Sequence, residues 1–228
     1  MTSTVLVTGG NRGIGREIVR GYAQQGLKVL LGCRNEDEGL EAKKDMVGGD
    51  VHVITLDLNN EQQLIESVTR AQAVYGDIDI LINNAGFLTE HNWQSVTTED
   101  MQHAMQVHVY GPLSLIQQVL PAMIENNYGR IVNVSSTYGA FDQEINGPIA
   151  YSISKAALNA LTVNIAQDVD KTNVKINAMS PGWVHTRLGG KDASRTPQKG
   201  AETAIWLGLL DKDGPTGTFF KDKQILSW

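Results

Sequence analysis

Short apolar runs alternate with longer amphipathic stretches along the chain, and this alternation constrains the fold more than any other feature. The runs are β-branched or leucine-rich and nearly continuous in apolar residues, which is typical of strands buried on both faces of a parallel sheet. They predict strands at 4–8, 27–33, 51–57, 78–83, 130–136 and 174–180, and a last strand within 217–226. The stretches between them predict helices at 14–25, 36–46, 60–75, 99–126, 150–171 and 197–210.

This alternation predicts an α/β fold, a doubly wound parallel β-sheet with helices on both faces. The 228 residues suffice for one large domain, and no repeat, low-complexity tract or linker divides them, so we expect a single domain over 1–228. The longest stretches without a predicted element each follow the carboxyl end of a strand, where such sheets bind ligands. They are 84–98, 137–149 and 181–196.

Charge and cysteine content exclude several classes of protein. The 19 basic residues are scattered among 25 acidic ones, which gives a formal net charge of −6 and favours no nucleic-acid partner. Neither a membrane-spanning run nor a secretion signal is evident, so we expect no membrane association. Cys33 is the single cysteine, which excludes an internal disulfide framework and suits a cytoplasmic protein. No metal site is predicted.

The first predicted strand leads into TGGNRGIG, residues 8–15, where Gly9, Gly13 and Gly15 precede a helix. Glycines at such a turn let the backbone approach a pyrophosphate closely, and the helix N-terminus offers unpaired N–H groups. The spacing of three residues and then one differs from the common dinucleotide fingerprint, and an ordinary tight turn is the alternative. The position after the first strand favours a diphosphate site.

The end of the second strand predicts which nicotinamide cofactor binds. A fingerprint for NAD places an acid there to bond the ribose 2′-hydroxyl, whereas this strand ends in Cys33 and Arg34. Arg34 and Arg12 are suited to clamping a 2′-phosphate with charge-assisted hydrogen bonds. Glu36 and Asp37 fall in the first turn of the next helix, where they complement its dipole. The predicted cofactor is therefore NADPH/NADP+.

Tyr151 and Lys155 stand four residues apart in AYSISKAAL, residues 150–158, and are neighbours on a helix. Alone, the pair is more often a half-buried ring beside a solvated charge than a catalytic device. Its context is the ordered series TGGNRGIG, NNAG (83–86), SS (135–136), YSISK (151–155) and PGWVHT (181–186). With these motifs the chain resembles the short-chain dehydrogenase/reductase family over nearly its whole length, and its C-terminal part resembles the carbonyl reductase branch.

The resemblance implies a Rossmann-type domain that transfers hydride between NADP(H) and a carbonyl or alcohol, with catalytic Ser136, Tyr151 and Lys155. Reducing a ketone requires a proton donor, and a free tyrosine with a pKa near 10 is a poor one at neutral pH. We expect the Lys155 cation to lower the pKa of Tyr151 and the Ser136 hydroxyl to hold the substrate oxygen. Ser135 is expected to face the backbone.

Residues of the same motifs are implied to contact the cofactor. Lys155 is expected at the nicotinamide ribose, Asp57 near the adenine, the Val184 backbone at the carboxamide and Thr186 near the diphosphate. A turn asparagine such as Asn84 can instead bond the backbone. The full predicted set is Gly9, Asn11, Arg12, Gly13, Ile14, Gly15, Arg34, Asp57, Leu58, Asn84, Ala85, Gly86, Tyr151, Lys155, Pro181, Gly182, Val184 and Thr186.

Two features depart from the family pattern. His108 stands where the family has an asparagine whose backbone carbonyl helps hold a water that links the lysine to solvent. Three roles are open for its side chain. The imidazole leaves the backbone role intact without a function of its own, or it joins the proton relay as a further catalytic residue, or it is a packed, hydrogen-bonded histidine. Ser136 and Tyr151 are 15 residues apart, slightly more than usual, with the extra residues in 141–148.

The leading hypothesis is an NADPH-dependent reductase of ketones and aldehydes. A dehydrogenase of a sugar, steroid or acyl-linked alcohol and a non-catalytic nucleotide-sensing protein are the alternatives. A substrate loop is implied at about 186–198, and the apolar candidates for the substrate pocket are Phe87, Trp93, Tyr138, Phe141, Trp183 and Leu188. The insertion of monomeric animal carbonyl reductases is missing, so helices 99–126 and 150–171 are free to pair in a homotetramer or homodimer.

Overall fold

The computed structural model describes residues 3–46, 48–143 and 145–228. Within these ranges the strands are β1 (Thr4–Thr8), β2 (Lys28–Cys33), β3 (Asp50–Thr55), β4 (Ile80–Asn83), β5 (Gly129–Val134), β6 (Val174–Met179), β7 (Phe219–Lys221) and β8 (Gln224–Leu226). They form one sheet in the order β3-β2-β1-β4-β5-β6-β7-β8, in which all neighbours are parallel except β7 and β8.

Helices cover both faces of this sheet. The helices are α1 (Gly13–Gln24), α2 (Glu36–Lys44), α3 (Glu61–Tyr75), α4 (Thr98–Met105), α5 (Gly111–Glu125), α6 (Ile149–Asp168) and α7 (Pro197–Leu207). The first two and α7 pack on one face, and α3, α5 and α6 pack on the other, with α4 against α6. The predicted single-domain α/β architecture is confirmed.

Alternating side chains along each central strand explain why both faces are covered. In β1, Val5 and Val7 pack with the α1 side while Leu6 packs with the α3 side, and all three are fully buried. Successive side chains of a strand point to opposite faces, so an unbroken apolar run needs a core on each side. Burying each such side chain contributes about 1.5–3 kcal/mol.

The predicted helix 99–126 is interrupted. α4 ends at Met105, a π-helical turn follows at Gln106–Tyr110, and α5 begins at Gly111. Pro112 has no N–H, so the hydrogen bond that it would give to the carbonyl of His108 in an unbroken α-helix cannot form. The helix instead widens into a π-helical turn, in which the Gly111 N–H donates to the carbonyl of Gln106, five residues earlier.

The predicted last strand within 217–226 is a hairpin of two strands, β7 and β8. Asp222 and Lys223 form its turn with φ of 53° and 63°. Positive φ at both central residues is the geometry of a two-residue hairpin turn whose twist matches the strands. The hairpin places β8 at one edge of the sheet, antiparallel to its neighbour.

The strand order reverses between β1 and β4, which lie side by side although two strands separate them in sequence. Loops from the carboxyl ends of β1 and β4 diverge at this point and open a crevice, where folds of this class bind ligands. Among the described residues, no helix is long and apolar enough to cross a membrane.

Candidate active site

The glycine loop and the start of α1 form one wall of the crevice. Gly9 has a φ of +65°, and a Cβ at Gly15 would lie 2.2 Å from the Gly9 carbonyl oxygen. A side chain at either position would therefore be strained or excluded. Arg12 is the N-cap residue of α1 without a capping side-chain hydrogen bond, and the first turn holds no acidic residue. These first-turn N–H groups fit an anion such as a diphosphate.

The segment after β4 locks this loop in place. The Asn84 side chain donates to the carbonyls of Thr8 at 2.8 Å and Gly9 at 3.3 Å. The Thr8 hydroxyl accepts from the backbone N–H groups of Asn84 and Ala85, each at 2.9 Å. The NNAG motif thus anchors the backbone, which was the alternative reading of Asn84, while Asn84 also borders the crevice.

Two cavities occupy the crevice. The larger cavity, of about 880 Å³, runs from the glycine loop to the ends of β2 and β3. The smaller cavity, of about 110 Å³, lies against α6. Both are lined by Ile14, Asn84, Gly86, Thr186 and Leu188, so they form one continuous cleft. Every predicted cofactor residue lines one cavity or the other.

The far end of the larger cavity carries the two arginines. Arg12 and Arg34 are exposed and line this end together with Asp57 and Leu58. The Asp57 carboxylate accepts from the Asn59 N–H at 3.0 Å, which fixes it at the end of β3. The arginines are thus available to an anionic group in the cavity.

Glu38 lines the same end and was missed from the sequence. Its carboxylate accepts a 2.7 Å hydrogen bond from Asn11, which links α2 to the glycine loop. Asn35 caps α2 by accepting from the Glu38 N–H, and this cap fixes where Glu38 lies. An N-cap asparagine three positions before the acid was the available signal.

The smaller cavity brings together Ser136, Tyr151 and Lys155. Tyr151 is 9% exposed and Lys155 4%, and the ammonium nitrogen lies 5.6 Å from the centroid of the phenol ring. Lys155 Nζ donates to the Val134 carbonyl at 2.8 Å, which ties α6 to the end of β5.

Burial dominates the protonation of this pair. It raises the pKa of Tyr151 to about 12, and the hydrogen bond with Ser136 acts in the opposite direction. Burial also lowers the pKa of Lys155 to about 7. The expectation that Lys155 lowers the pKa of Tyr151 is therefore wrong for this structure, since removal from water disfavours the charged form of each group.

The two neighbouring serines differ as expected. Ser135 is buried, and its hydroxyl donates to the Lys155 carbonyl at 3.4 Å. The Ser136 oxygen accepts from the Tyr138 N–H at 3.2 Å and borders the smaller cavity, with the hydroxyl interacting with the phenol of Tyr151. Both serines line the smaller cavity, but the Ser136 hydroxyl interacts with the Tyr151 phenol, whereas the Ser135 hydroxyl bonds the backbone of α6.

The loop after β6 forms a roof over the cleft. A parallel bridge joins Val184 to Arg195, and Arg195 forms an ion pair with Asp222 in the β7–β8 turn. Just before Val184, the Trp183 indole N–H donates to the Gly189 carbonyl at 2.7 Å. Thr186 reaches the glycine loop, with its Cγ2 3.1 Å from where a Cβ of Gly13 would stand. The predicted loop 186–198 also includes the first two residues of α7, which begins at Pro197.

The apolar candidates separate into two groups. Trp183, Leu188 and Phe87 line the cleft. Trp93, Tyr138 and Phe141 line neither cavity, and Trp93 and Phe141 are 76% and 80% exposed. Phe141 begins the stretch 141–148, of which residue 144 lies outside the described residues.

His108 lines neither cavity and is buried between the segment after β4 and α6. Its ring meets the Tyr151 ring edge-on, with 5.6 Å between the centroids. In the described part of the chain, no group of three or more His, Cys, Asp and Glu side chains is placed to hold a metal ion.

A family model described as short chain dehydrogenase matches residues 3–196. The Drosophila melanogaster dehydrogenase/reductase SDR family protein 7-like is 33% identical over 190 residues, which are 81% of this chain but only 58% of that relative. The Thermotoga maritima 3-oxoacyl-[acyl-carrier-protein] reductase FabG is 30% identical over 222 residues, 96% of this chain and 85% of the relative. The NADPH-bound carbonyl reductase from chicken fatty liver superposes with a TM-score of 0.89 at 25% identity, covering 100% of this chain and 99% of the other.

Proposed function

The chain belongs to the short-chain dehydrogenase/reductase family of oxidoreductases, and on this premise we propose that it is an NADPH-dependent reductase of ketones and aldehydes. The observation that carries the proposal is the cleft itself. Ser136, Tyr151 and Lys155 border one end of it, and the other end is walled by the glycine loop and the uncapped start of α1.

Bound NADPH supplies the hydride that adds to the carbonyl carbon. Tyr151 donates its phenolic proton to the carbonyl oxygen, and Ser136 donates a hydrogen bond to the same oxygen as negative charge develops there. Lys155, held beside the phenol ring by its hydrogen bond to the Val134 carbonyl, would hydrogen-bond the nicotinamide ribose and so orient the cofactor. The reverse steps oxidise an alcohol.

The proposed preference for NADPH rests on charge at the far end of the larger cavity. Arg12 and Arg34 line it, and β2 ends in Cys33 rather than in an acid that would bond a ribose 2′-hydroxyl. Glu38 opposes the two arginines with one negative charge, which Asn11 already engages. The carbonyl reductase to which this chain is similar was solved with NADPH bound.

The smaller cavity favours an uncharged carbonyl compound over an anionic substrate. Among the described residues that line it, Lys155 alone is charged, and its ammonium already donates to a backbone carbonyl. Trp183, Leu188 and Pro181 supply apolar surface there.

The test is NADPH consumption with a panel of ketones and aldehydes, followed by absorbance. Ser136→Ala is expected to lose about a hundredfold in kcat because it removes a donor to the developing oxyanion. Ser135→Ala is the matched control and is expected to keep most activity, because Ser135 bonds only the backbone of α6. Consumption of NADP+ with alcohols alone would favour the dehydrogenase alternative, and no turnover in either direction would favour a nucleotide-sensing protein.

We also propose that the protein is a cytoplasmic homotetramer or homodimer. The proposal is supported by exposed apolar side chains on the two helices expected to pair: Ile153 on α6, Tyr110 in the π-helical turn and Ile124 on α5 are 46%, 50% and 43% exposed. Light scattering is expected to give a mass of two or four chains. A single species at the 24.9 kDa of one chain would overturn the assembly.

A further inference from the structure

His108 makes two hydrogen bonds, one with each ring nitrogen, although it is only 1% exposed. Nε2 lies 3.2 Å from the backbone nitrogen of Phe87, in the segment after β4. Nδ1 lies 2.8 Å from the hydroxyl oxygen of Ser154 in the first turns of α6. The imidazole thus bridges the two segments that border the smaller cavity.

The partners determine where the imidazole proton lies. A backbone N–H can only donate, so Nε2 must accept from Phe87 and carries no proton. In the neutral ring the proton is then on Nδ1, which donates to the Ser154 oxygen. The Ser154 hydroxyl in turn donates to the Tyr151 carbonyl at 2.8 Å. In this series of hydrogen bonds, each donor therefore faces an acceptor.

We propose that His108 is a positioning residue, held as the neutral Nδ1–H tautomer, that fixes Gly86 and Phe87 relative to Tyr151 and takes no part in proton transfer. The effect on turnover rests on the proposed function, whereas the tautomer does not. Protonation at Nε2 would turn its hydrogen toward the Phe87 N–H, so a relay through this ring would break the bond that holds it.

The groups that face the ring also disfavour a cation. Lys155 and Tyr151 face it from α6, and His103 lies one turn before it along the chain. Burial first, and then the charges of Lys155 and His103, hold the pKa of His108 well below its usual range. The ring therefore stays neutral around neutral pH, where a relay would need it to titrate.

The space around Gly86 shows which part of the cleft the His108 ring supports. A Cβ at Gly86 would lie 3.1 Å from His108 Nε2 and 3.8 Å from Lys155 Nζ. Gly86 borders both cavities, so the His108 ring supports the backbone at the point where the two cavities join. A shift of this ring would move the floor of the cleft on one side and the Tyr151 helix on the other.

The first test is the tautomer, read by ¹⁵N NMR of the histidine rings in the protein without ligand and assigned with His108→Asn. We expect a protonated Nδ1 and an unprotonated Nε2 for His108, unchanged from about pH 6 to about pH 9. A ring that titrates in this range, or that carries its proton on Nε2, would overturn the proposal whether or not the protein reduces carbonyls.

The second test separates the two hydrogen bonds. An asparagine amide can replace the Nδ1 donor, whereas a glutamine oxygen reaches the position of Nε2. His108→Asn is expected to keep kcat within about tenfold while weakening NADPH binding, because Phe87 loses its acceptor. His108→Gln is expected to keep NADPH affinity and lose about tenfold in kcat, as Ser154→Ala does, with no further loss in the double variant.

The pH profile of kcat distinguishes positioning from relay. Neither variant is expected to change its shape. A limb that moves or vanishes in His108→Asn, or a loss above about a hundredfold with NADPH still bound, would show that the imidazole transfers protons. If the wild type reduces no carbonyl, the proposed function fails while the tautomer and the NADPH affinities still test the bridge.

Discussion

The two ends of the cleft differ in how far their functional side chains are exposed to water. At the smaller cavity, Tyr151 and Lys155 are almost fully buried, and the lysine is bonded to the chain. At the far end of the larger cavity, Arg12 and Arg34 stand exposed to water. Charges and dipoles that are fixed away from water act strongly on a reacting group, whereas exposed charges are screened. We expect the buried end to control rate and the exposed end to control cofactor choice by smaller amounts.

The largest effect is expected for Tyr151→Phe. The ring keeps its packing and only the proton donor is lost, so kcat should fall by about 10²–10⁴-fold while NADPH affinity, measured by fluorescence titration, stays within a few-fold. Tyr138→Phe is the matched control, because Tyr138 is next to the site but lines neither cavity. Turnover of Tyr151→Phe within tenfold of the wild type would show that another group donates the proton.

The next prediction tests the burial of Lys155 through stability. With a folded pKa of about 7 against an ordinary 10.5, Lys155 binds fewer protons in the folded than in the unfolded state between these values. The free energy of unfolding should therefore rise with pH across this window, by at most about 1.4 kcal/mol per unit. Lys155→Met should remove this slope and also weaken turnover and NADPH binding.

Urea unfolding between about pH 7 and pH 9 measures the slope, because tyrosine, with an ordinary pKa near 10, is still mostly protonated there. Lys171→Met is the control, since Lys171 is exposed and should leave the slope unchanged. Equal slopes for the wild type and Lys155→Met would contradict the burial of the amine and, with it, the contrast between the two ends.

The smallest effect is expected for Arg34→Asp. It removes a cation from the 2′-phosphate and adds repulsion, so the ratio of kcat/KM for NADPH over NADH should fall by about tenfold to a hundredfold, with kcat nearly unchanged. Added salt should narrow the difference, because the group is exposed. Arg70→Asp makes the same charge change on the outer side of α3, and an equal shift there would remove the assignment of Arg34.

The sheet could be predicted from the sequence because its strands are buried on both faces. Runs such as β1 have an unbroken apolar centre, Val5 to Val7, between two buried threonines, so the position of the strand follows from that centre. The hairpin of β7 and β8 was not predicted, since its turn residues Asp222 and Lys223 lack the glycine that usually marks such turns. The π-helical turn had a signal in Pro112, which a pattern of apolar spacing does not weigh.

The candidate site was predictable where chemistry depends on spacing along the chain. The glycine loop and the Tyr151–Lys155 pair are local, and the structure brings them to one cleft. The raised pKa of Tyr151 depends on burial, which the whole fold determines. The bridge through His108 joins residues that are 21 and 46 positions away, so no local pattern contains it.

The roof of the cleft is fastened to the rest of the fold at its two ends, and its middle is held by bonds within the loop, such as that of Trp183 with Gly189. The Val184–Arg195 bridge and the ion pair of Arg195 with Asp222 fix the two ends of the segment between them. The entropy of closing a loop grows only with the logarithm of its length, so doubling such a segment costs about 0.6 kcal/mol. Residues inserted or exchanged near Leu188 can thus reshape the entrance to the cleft at little cost in stability. The range of compounds that the fold accepts can then change while its sheet, cofactor wall and proton donor stay the same.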